Sequence, residues 1–264
     1  MDESAIKNVW RDNLEDEMAK IRNLINRYKY VSMDTEFPGV VAKPMGNFKT
    51  TSSYTYQQLR INVDLLKLIQ LGITLSDSDG NKPSPVCTWQ FNFEFNLEKD
   101  MYSQESIDLL IDAKIDFKKH EMYGISVEEF GELLITSGVV MSEEIVWISF
   151  HSSYDFGYLT KILTGNPLPE NEEGFFQYLK ALFPNFYDMK YLMRTSKYLK
   201  NGLQEIADDM KIERLGTQHQ AGSDSLLTCF TFFRSRDNMF NGNIDESKNL
   251  CRLFGIESKK YLDL

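Results

Sequence analysis

Two acidic side chains, Asp34 and Glu36, stand two residues apart in the run YKYVSMDTEF. The run is β-like, and residues two apart on a strand point to the same face, so both carboxylates should look in one direction. Neighbouring carboxylates repel each other and raise at least one pKa, and a bound divalent cation removes that penalty. By itself so short a pattern favours the plainer interpretation of a solvent-facing acidic pair on an edge strand.

Two further acidic residues are expected at the beginnings of helices. Asp155 follows the continuous apolar run IVWISF, which is typical of a buried strand, and should lie in the first turn of the next helix. The end of a buried strand is a common place for an α/β active site, although an acid there also compensates the helix dipole. Asp224 opens a later helix, where it could equally serve as a cap.

One histidine, His219, comes shortly before Asp224 in the run HQAGSDSLL. In a loop beside an acidic residue it could act as a general base next to a metal. It could also be a histidine of the surface or core whose hydrogen bonds are satisfied. The three histidines and three cysteines of the chain show no spacing typical of structural zinc.

The elements expected to position these residues begin with a helix and three strands, of which the first lies in YKYVSMDTEF and the second in LIQLGITL. The first segment predicts an amphipathic helix because apolar residues recur at intervals of three and four, namely Ile6, Val9, Trp10, Leu14, Met18, Ile21 and Ile25. Residues 43–56 are predicted as an irregular loop and 57–67 as a short helix. The run CTWQFNFEFNL alternates aromatic and polar residues, which predicts an antiparallel strand that is covered on one face only.

After residue 100 the patterns become mainly helical. The run SVEE begins one helix with a capping box, in which Ser126 caps and Glu129 follows three positions on. The other predicted helices are SQESIDLLIDAK, 153–164, 172–183, 202–210, 223–237 and 244–254. The predicted strands are 145–150 and a short run at 189–195. Since no linker interrupts them, we expect one domain, a mixed sheet flanked by helices.

The composition limits the function classes. Hydrophobic residues make up 42 % of the chain, so it should fold, and no apolar run is long enough for a transmembrane helix. The net charge of −10 counts against nucleic acid unless divalent cations lie among the acidic residues and attract phosphate. Three widely spaced cysteines do not form a disulfide framework, which favours a cytoplasmic, and also nuclear, location.

Together these motifs resemble a known enzyme class. Two acids on a first strand, one after a buried strand and a late histidine–aspartate pair resemble the DEDD exonucleases of the histidine-bearing subclass. The runs MDTEFPGVV, NVDLLKLIQLG, TWQFNFEFNL, LLITSGVV, SFHSSYDFGYL and QHQAGSDSLLT are similar to the CAF/POP family, a nuclease subunit of the CCR–NOT mRNA deadenylase complex. These runs extend over nearly the whole chain. Ser153 departs from them, because glycine is expected there in many relatives.

The resemblance implies an α/β, ribonuclease-H-like mixed sheet and a single DEDD-type exonuclease domain over residues 1–264. It implies a poly(A)-specific 3′→5′ exoribonuclease that releases 5′-AMP by two-metal-ion hydrolysis. Asp34 and Glu36 correspond to the first motif, Asp155 to the second, and Asp224 with His219 to the third. The four carboxylates would hold two divalent ions, Mg²⁺ or Mn²⁺, with Zn²⁺ as a further option.

The resemblance also implies partners. These are poly(A) RNA, a NOT scaffold subunit, a second deadenylase with leucine-rich repeats, and antiproliferative adaptor proteins, with no membrane. Phe37, His151 and Tyr154 are candidates for stacking on a base, chosen only because they are near the motifs, and packing or loop roles are the commoner outcome for such aromatics. Two other functions stay open: a scaffold or adaptor of the same complex, and a 3′→5′ DNA exonuclease.

Overall fold

The computed structural model describes residues 3–257, and its framework is a six-stranded mixed sheet. In chain order the strands are β1 (Ile6–Val9), β2 (Tyr30–Glu36), β3 (Gln70–Ser76), β4 (Thr88–Asn92), β5 (Val146–Ser149) and β6 (Asn185–Asp188). Their order across the sheet is β1-β4-β3-β2-β5-β6.

The strand β2 joins an antiparallel half of the sheet to a parallel half. It runs antiparallel to β3, with Asp34 opposite Gly72, and β3 runs antiparallel to β4. On its other side β2 is parallel to β5, which in turn is parallel to β6. The parallel strands are connected through helices, as parallel pairing requires. The predicted α/β mixed sheet with early antiparallel strands is confirmed.

Helices cover both faces of this sheet. Those of the described residues are α1 (Leu14–Leu24), α2 (Thr51–Leu65), α3 (Gln104–Asp112), α4 (Phe117–Tyr123), α5 (Val127–Ile135), α6 (Ser153–Thr164), α7 (Glu172–Leu182), α8 (Met189–Leu192), α9 (Leu203–Asp209), α10 (Ala221–Phe240) and α11 (Glu246–Asn249), with short 3₁₀ segments at Glu3–Ala5, Arg11–Asn13 and Met193–Thr195. None of the helices in residues 3–257 has both the length and the apolar character that a bilayer crossing needs.

The predicted N-terminal helix is wrong over its first part. Ile6–Val9 forms β1, which pairs in parallel with β4, and the helix begins only at Leu14. Without β1, the edge of β4 would present unpaired backbone N–H and C=O groups. Pairing with β4 satisfies these groups and buries Val9 completely, which overrides the helical spacing of the apolar residues.

Two other predictions, the start of one helix and the strand at 189–195, are wrong where polar side chains begin a helix. The helix α2 begins at Thr51 rather than 57, since the Thr50 hydroxyl accepts the Ser53 N–H as an N-cap. The run at 189–195 is helical, and the strand lies just before it, ending at Asp188, whose carboxylate accepts the Lys190 N–H and so begins α8. The helix predicted at 244–254 is reduced to Glu246–Asn249, and α4 was not predicted.

The polar face of β4 is buried, contrary to the expectation of one wet face. Thr88, Gln90 and Asn92 are all at most 4 % exposed. The long helix α10 covers this face, packing on β2, β3 and β4. The aromatic residues Trp89 and Phe91 point to the opposite face, into the main core. The polar alternation therefore marks contact between the sheet and α10 rather than contact with water.

His120 is a neutral histidine buried under the N-terminal part of the fold. It is 1 % exposed, and its Nδ1 lies 2.7 Å from the Phe93 carbonyl oxygen. The Trp10 ring packs edge-on against the imidazole, with ring centroids 5.1 Å apart. Burial lowers the pKa of His120 from 6.5 to about 4.

This shift predicts how stability depends on pH. Above pH 6.5 the imidazole is neutral whether the chain is folded or unfolded, so the contribution is complete there. Below it only the unfolded chain takes up a proton until about pH 4, so the free energy of unfolding should fall by about 1.4 kcal/mol per pH unit, or about 3 kcal/mol in all. Urea unfolding of the wild type and of His120→Asn, which keeps a donor for Phe93, should show a stability difference that shrinks from pH 7 to 4.5. A constant difference would contradict the assignment.

Candidate active site

Asp34 and Glu36 lie at the carboxyl end of β2, on the face that α10 covers. Their strand partners are Gly72 and Gln70 of β3. Both carboxylates line a cleft of about 440 Å³ that also contains Asp224 and His219. The sequence prediction that the two acids share one face is therefore correct, and the face is a cleft wall rather than open surface.

Thr35, between the two acids, connects them to Asp155. Its side chain points away from the cleft face, and its hydroxyl donates to Asp155 Oδ1 at 2.8 Å. Asp155 lies in the first turn of α6, as predicted, and is 7 % exposed. Asp34 and Glu36 therefore line the cleft, whereas Thr35 between them binds a third carboxylate, Asp155, which is not among the described residues that line the cleft.

The first turn of α10 rests directly on the sheet. The Gln70 side-chain oxygen accepts the Ala221 N–H at 3.2 Å, and the Gln90 side-chain oxygen accepts the Gly222 N–H at 2.8 Å. The first N–H groups of a helix have no partner within the helix, so the two glutamine side chains replace a conventional N-cap. Gly72 allows the close approach, because a Cβ there would lie 1.9 Å from the Ala221 carbonyl oxygen.

This seat places Asp224 and His219 beside the β2 acids. Asp224 lies in the first turn of α10 and is 7 % exposed. The His219 backbone N–H donates to Asp224 Oδ2 at 3.0 Å, and His219 has a left-handed φ of 61°. One potential ligand atom from each of Glu36, His219 and Asp224 lies within 4.8 Å of the other two.

Burial and mutual repulsion dominate the electrostatics of this cluster. The pKa values of Asp34 and Glu36 are raised well above their usual range, first by burial and then by the charges of Asp224 and Asp155. Burial raises the pKa of Asp155 to about 7, although the hydrogen bond from Thr35 opposes this. In residues 3–257 neither the Asp34 nor the Glu36 carboxylate accepts a hydrogen bond. Such a site favours a cation.

Arg214 is a functional candidate that the sequence pattern did not single out. Its Nη1 lies 2.5 Å from Asp224 Oδ1, and its charge lowers the pKa values of Asp34 and Glu36. No periodic or short-motif signal marks this arginine in the sequence. The described residues that line the cleft are Asp34, Thr35, Glu36, Phe150, Gly202, Leu203, Gln204, Glu205, Arg214, Gln218, His219 and Asp224.

The three aromatic candidates for base stacking have other contacts. The Phe37 ring stacks on Tyr154, with centroids 5.0 Å apart and planes 12° apart. The His151 ring packs edge-on against Phe254. None of the three is among the described residues that line the cleft, whereas Phe150, which was not predicted, is one of them. Ser153 is buried as the first residue of α6.

A further buried carboxylate, Asp188, supports the chain that leads to Asp155. It is 1 % exposed and ends β6. Its Oδ1 accepts the His151 N–H at 2.8 Å and the Lys190 N–H at 2.9 Å, and its Oδ2 accepts the Phe254 N–H at 2.9 Å. Burial raises the pKa of Asp188, while these donors lower it. Asp188 thus joins the turn before α6, α8 and a C-terminal segment.

Comparison with known proteins identifies the family. The model of the CAF1 family ribonuclease matches residues 9–129 and 134–232. The chain belongs to the CAF1 family. Poly(A) ribonuclease pop2 of Schizosaccharomyces pombe is 55 % identical to it over 255 residues, which is 97 % of this chain and 76 % of that protein.

Two solved structures extend the likeness to the fold. The structure of S. pombe Pop2p in its Mg²⁺- and Mn²⁺-bound form has a TM-score of 0.93 at 55 % identity, covering 96 % of this chain and 100 % of that one. Yeast CAF1, co-crystallised with the NOT1 MIF4G domain, has a TM-score of 0.79 at 36 % identity, covering 94 % and 96 %. This CAF1-family chain therefore has the same α/β fold as these two relatives.

The seat of α10 in this CAF1-family chain predicts the effect of one methyl group. Gly72→Ala would force the first turn of α10 away from β3, because the obstacle is backbone rather than a flexible side chain. We expect the free energy of unfolding, measured with urea, to fall by at least about 1–3 kcal/mol, the usual range for an overpacked core. Gly202→Ala is the control, because a Cβ there meets nothing within 4 Å and φ is −78°. Equal stabilities of the two variants would contradict the tight seat.

Proposed function

We propose that this chain is a metal-dependent 3′→5′ exoribonuclease that removes AMP from the poly(A) tails of messenger RNA. The observation that carries the proposal is the convergence of Asp34, Glu36 and Asp224 on one cleft beside His219, with Asp155 near enough for its charge to raise the pKa of Asp34. The family and the name of the S. pombe relative support ribonuclease activity on poly(A).

The donor set suits hard divalent cations. Four carboxylates offer oxygen ligands, which Mg²⁺ and Mn²⁺ prefer, and Zn²⁺ also accepts them. The S. pombe Pop2p structure contains Mg²⁺ and Mn²⁺, which supports these ions here. We assign Asp34, Glu36, Asp155 and Asp224 as the ligands of two cations. When bound, such a pair activates a water and stabilises charge on the phosphate and on the leaving 3′ oxygen.

The residues of the chain itself position the carboxylates and deprotonate the attacking water. His219 takes the proton of the attacking water as general base, a role that its place at the cluster allows. The hydrogen bond from its backbone to Asp224 fixes the loop that carries it. Thr35 holds Asp155 in place through its hydroxyl. The cleft is open enough for a terminal nucleotide, and the carboxylates repel its phosphates unless cations are present.

The base-stacking role of Phe37, His151 and Tyr154 stays a prediction. The stacking of Phe37 on Tyr154 supports a packing role for these two rings. Phe150 is better placed for a base, because it lines the cleft. We keep adenine preference as part of the proposal because the relative's name includes poly(A).

A scaffold contact can coexist with catalysis. Yeast CAF1 was co-crystallised with the NOT1 MIF4G domain, which supports a NOT scaffold as a partner of this chain. A leucine-rich-repeat deadenylase, antiproliferative adaptors and a cytoplasmic and nuclear location stay predictions from the family resemblance. A purely structural role would leave the clustered acids and His219 without a task, so we favour the enzyme.

Removing single acids should abolish the reaction. With Mn²⁺, wild-type protein should shorten a 5′-labelled RNA bearing a 3′ A-tail one nucleotide at a time, and EDTA should stop it. Asp34→Asn and Asp155→Asn should slow hydrolysis by at least about 100-fold, because several kcal/mol of transition-state stabilisation are lost.

The control for this experiment is Glu144→Gln, an exposed acid paired with Lys29 on the surface, which should retain wild-type rates. Equal-length RNA with a 3′ U-tail and a DNA A-tail test the substrate in parallel. Unchanged hydrolysis by either aspartate variant would refute the assignment of the site. Faster degradation of the DNA would favour the DNA exonuclease instead.

The role of His219 can be separated from metal ligation. If His219 is a general base, His219→Asn should lower the rate by about 10²–10⁴-fold. The Mn²⁺ affinity of this variant, measured by calorimetry without RNA, should stay within the wild-type range. A loss of Mn²⁺ affinity comparable to that of Asp224→Asn would instead make His219 a ligand, which its distance to Glu36 and Asp224 also permits.

A further inference from the structure

Arg214 is held in the acidic cleft by three side chains. Its Nη1 lies 2.5 Å from Asp224 Oδ1 and donates to Ser223 Oγ at 2.9 Å, and its Nε donates to Gln204 Oε1 at 2.5 Å. Gln204 belongs to α9 and Ser223 to α10, so the guanidinium spans two helices. The side chains of Arg214 and Asp224 are only 12 % and 10 % exposed.

The guanidinium pairs with one of the two carboxylate oxygens of Asp224. Asp224 Oδ2 accepts the His219 backbone N–H, and Oδ1 carries Arg214. Asp224 is also one of the three residues whose potential ligand atoms lie within 4.8 Å of one another. A divalent cation on this oxygen would lie next to a second positive charge, and like charges at such distances repel strongly in a partly buried site.

Arg214 has the chemistry of a permanent counter-ion. A guanidinium does not lose its proton in proteins, so its charge is present at every pH at which the chain is folded. The cluster it faces contains four carboxylates that repel one another when no metal is bound. The hydrogen bonds to Gln204 and Ser223 keep the charge in place.

We propose that Arg214 is the internal counter-ion of the metal-free acidic cluster and that it releases Asp224 Oδ1 when a divalent cation binds. Metal binding is then an exchange of one cation for another, so the site binds metal more weakly than its carboxylates alone would. In return, the empty site keeps its shape. Arg214 acts through Asp224 and is a positioning residue. The inference rests on the proposed metal-dependent function for its cation, but its test needs no RNA.

The test compares whole-chain variants by two measurements, Mn²⁺ affinity from calorimetry and the thermal midpoint in EDTA and in saturating Mn²⁺. Arg214→Gln removes the charge and should bind Mn²⁺ at least about fivefold more tightly than wild type, the lower end of ordinary coupling between two ligands. Its midpoint should fall in EDTA and recover in Mn²⁺. Arg214→Lys keeps a charge without the planar fork, so its affinity should lie between those of wild type and Arg214→Gln.

Lys29→Gln is the matched control, because it removes a positive charge from an exposed ion pair with Glu144. It should change neither the Mn²⁺ affinity nor the difference between the two midpoints. If Arg214→Gln does not fold, Arg214→Lys decides, because it must still bind Mn²⁺ more tightly than wild type.

The opposite results would overturn the inference. Weaker Mn²⁺ binding by the variants would mean that Arg214 holds Asp224 in place for the metal, and unchanged binding would mean that Arg214 and the metal do not compete. Equal falls of the midpoint in EDTA and in Mn²⁺ would mean a purely structural role. Wild-type protein that binds no Mn²⁺ would overturn the proposed metal site as well, which separates the failure of the function from the failure of this inference.

Discussion

The contact between the first turn of α10 and the backbone of β3 is the constraint on which the site depends. Gly72 places no side chain between them, and the side-chain oxygens of Gln70 and Gln90 accept hydrogen bonds from the first N–H groups of the helix. A helix that begins against a sheet in this way cannot shift without losing those hydrogen bonds. Asp224 and His219 therefore inherit their positions from the sheet, to which Asp34 and Glu36 already belong.

That rigidity brings carboxylates together against their own repulsion. Burial and neighbouring charges both raise the pKa values of Asp34 and Glu36. The fold supplies only partial relief, through the hydroxyl of Thr35 on Asp155 and the guanidinium of Arg214 on Asp224. Stability given up at this one place is the common signature of a binding site in an otherwise well-packed core. The acids are held where a cation is useful rather than where they are most stable.

The sequence predicted the residues of the site better than the contacts around them. Period two places Asp34 and Glu36 on one face, the end of an apolar run locates Asp155, and the start of a helical pattern locates Asp224, because these signals are local. The roles of Arg214 and Gln90 were not predicted. They depend on the packing of α9 and α10 against the sheet, which no local sequence pattern indicates. The same cause explains β1: Ile6 and Val9 have helical spacing, yet the open edge of β4, far along the chain, decides their conformation. The polar side of β4 was predicted to face solvent because no local pattern shows that α10 covers it.

The buried carboxylate of Asp188 connects the segment around Phe254 to the turn that precedes α6. It grips the backbone of Phe254 with one oxygen and that of His151, four residues before Asp155, with the other. A chain cut before Phe254 would leave a buried anionic oxygen without its donor, in a place that water reaches poorly. Loss of the Phe254 N–H is therefore expected to disturb the turn that leads into α6, because Asp188 also binds the His151 N–H there. Truncation before Phe254 would also remove the ring contact between Phe254 and His151 in that turn.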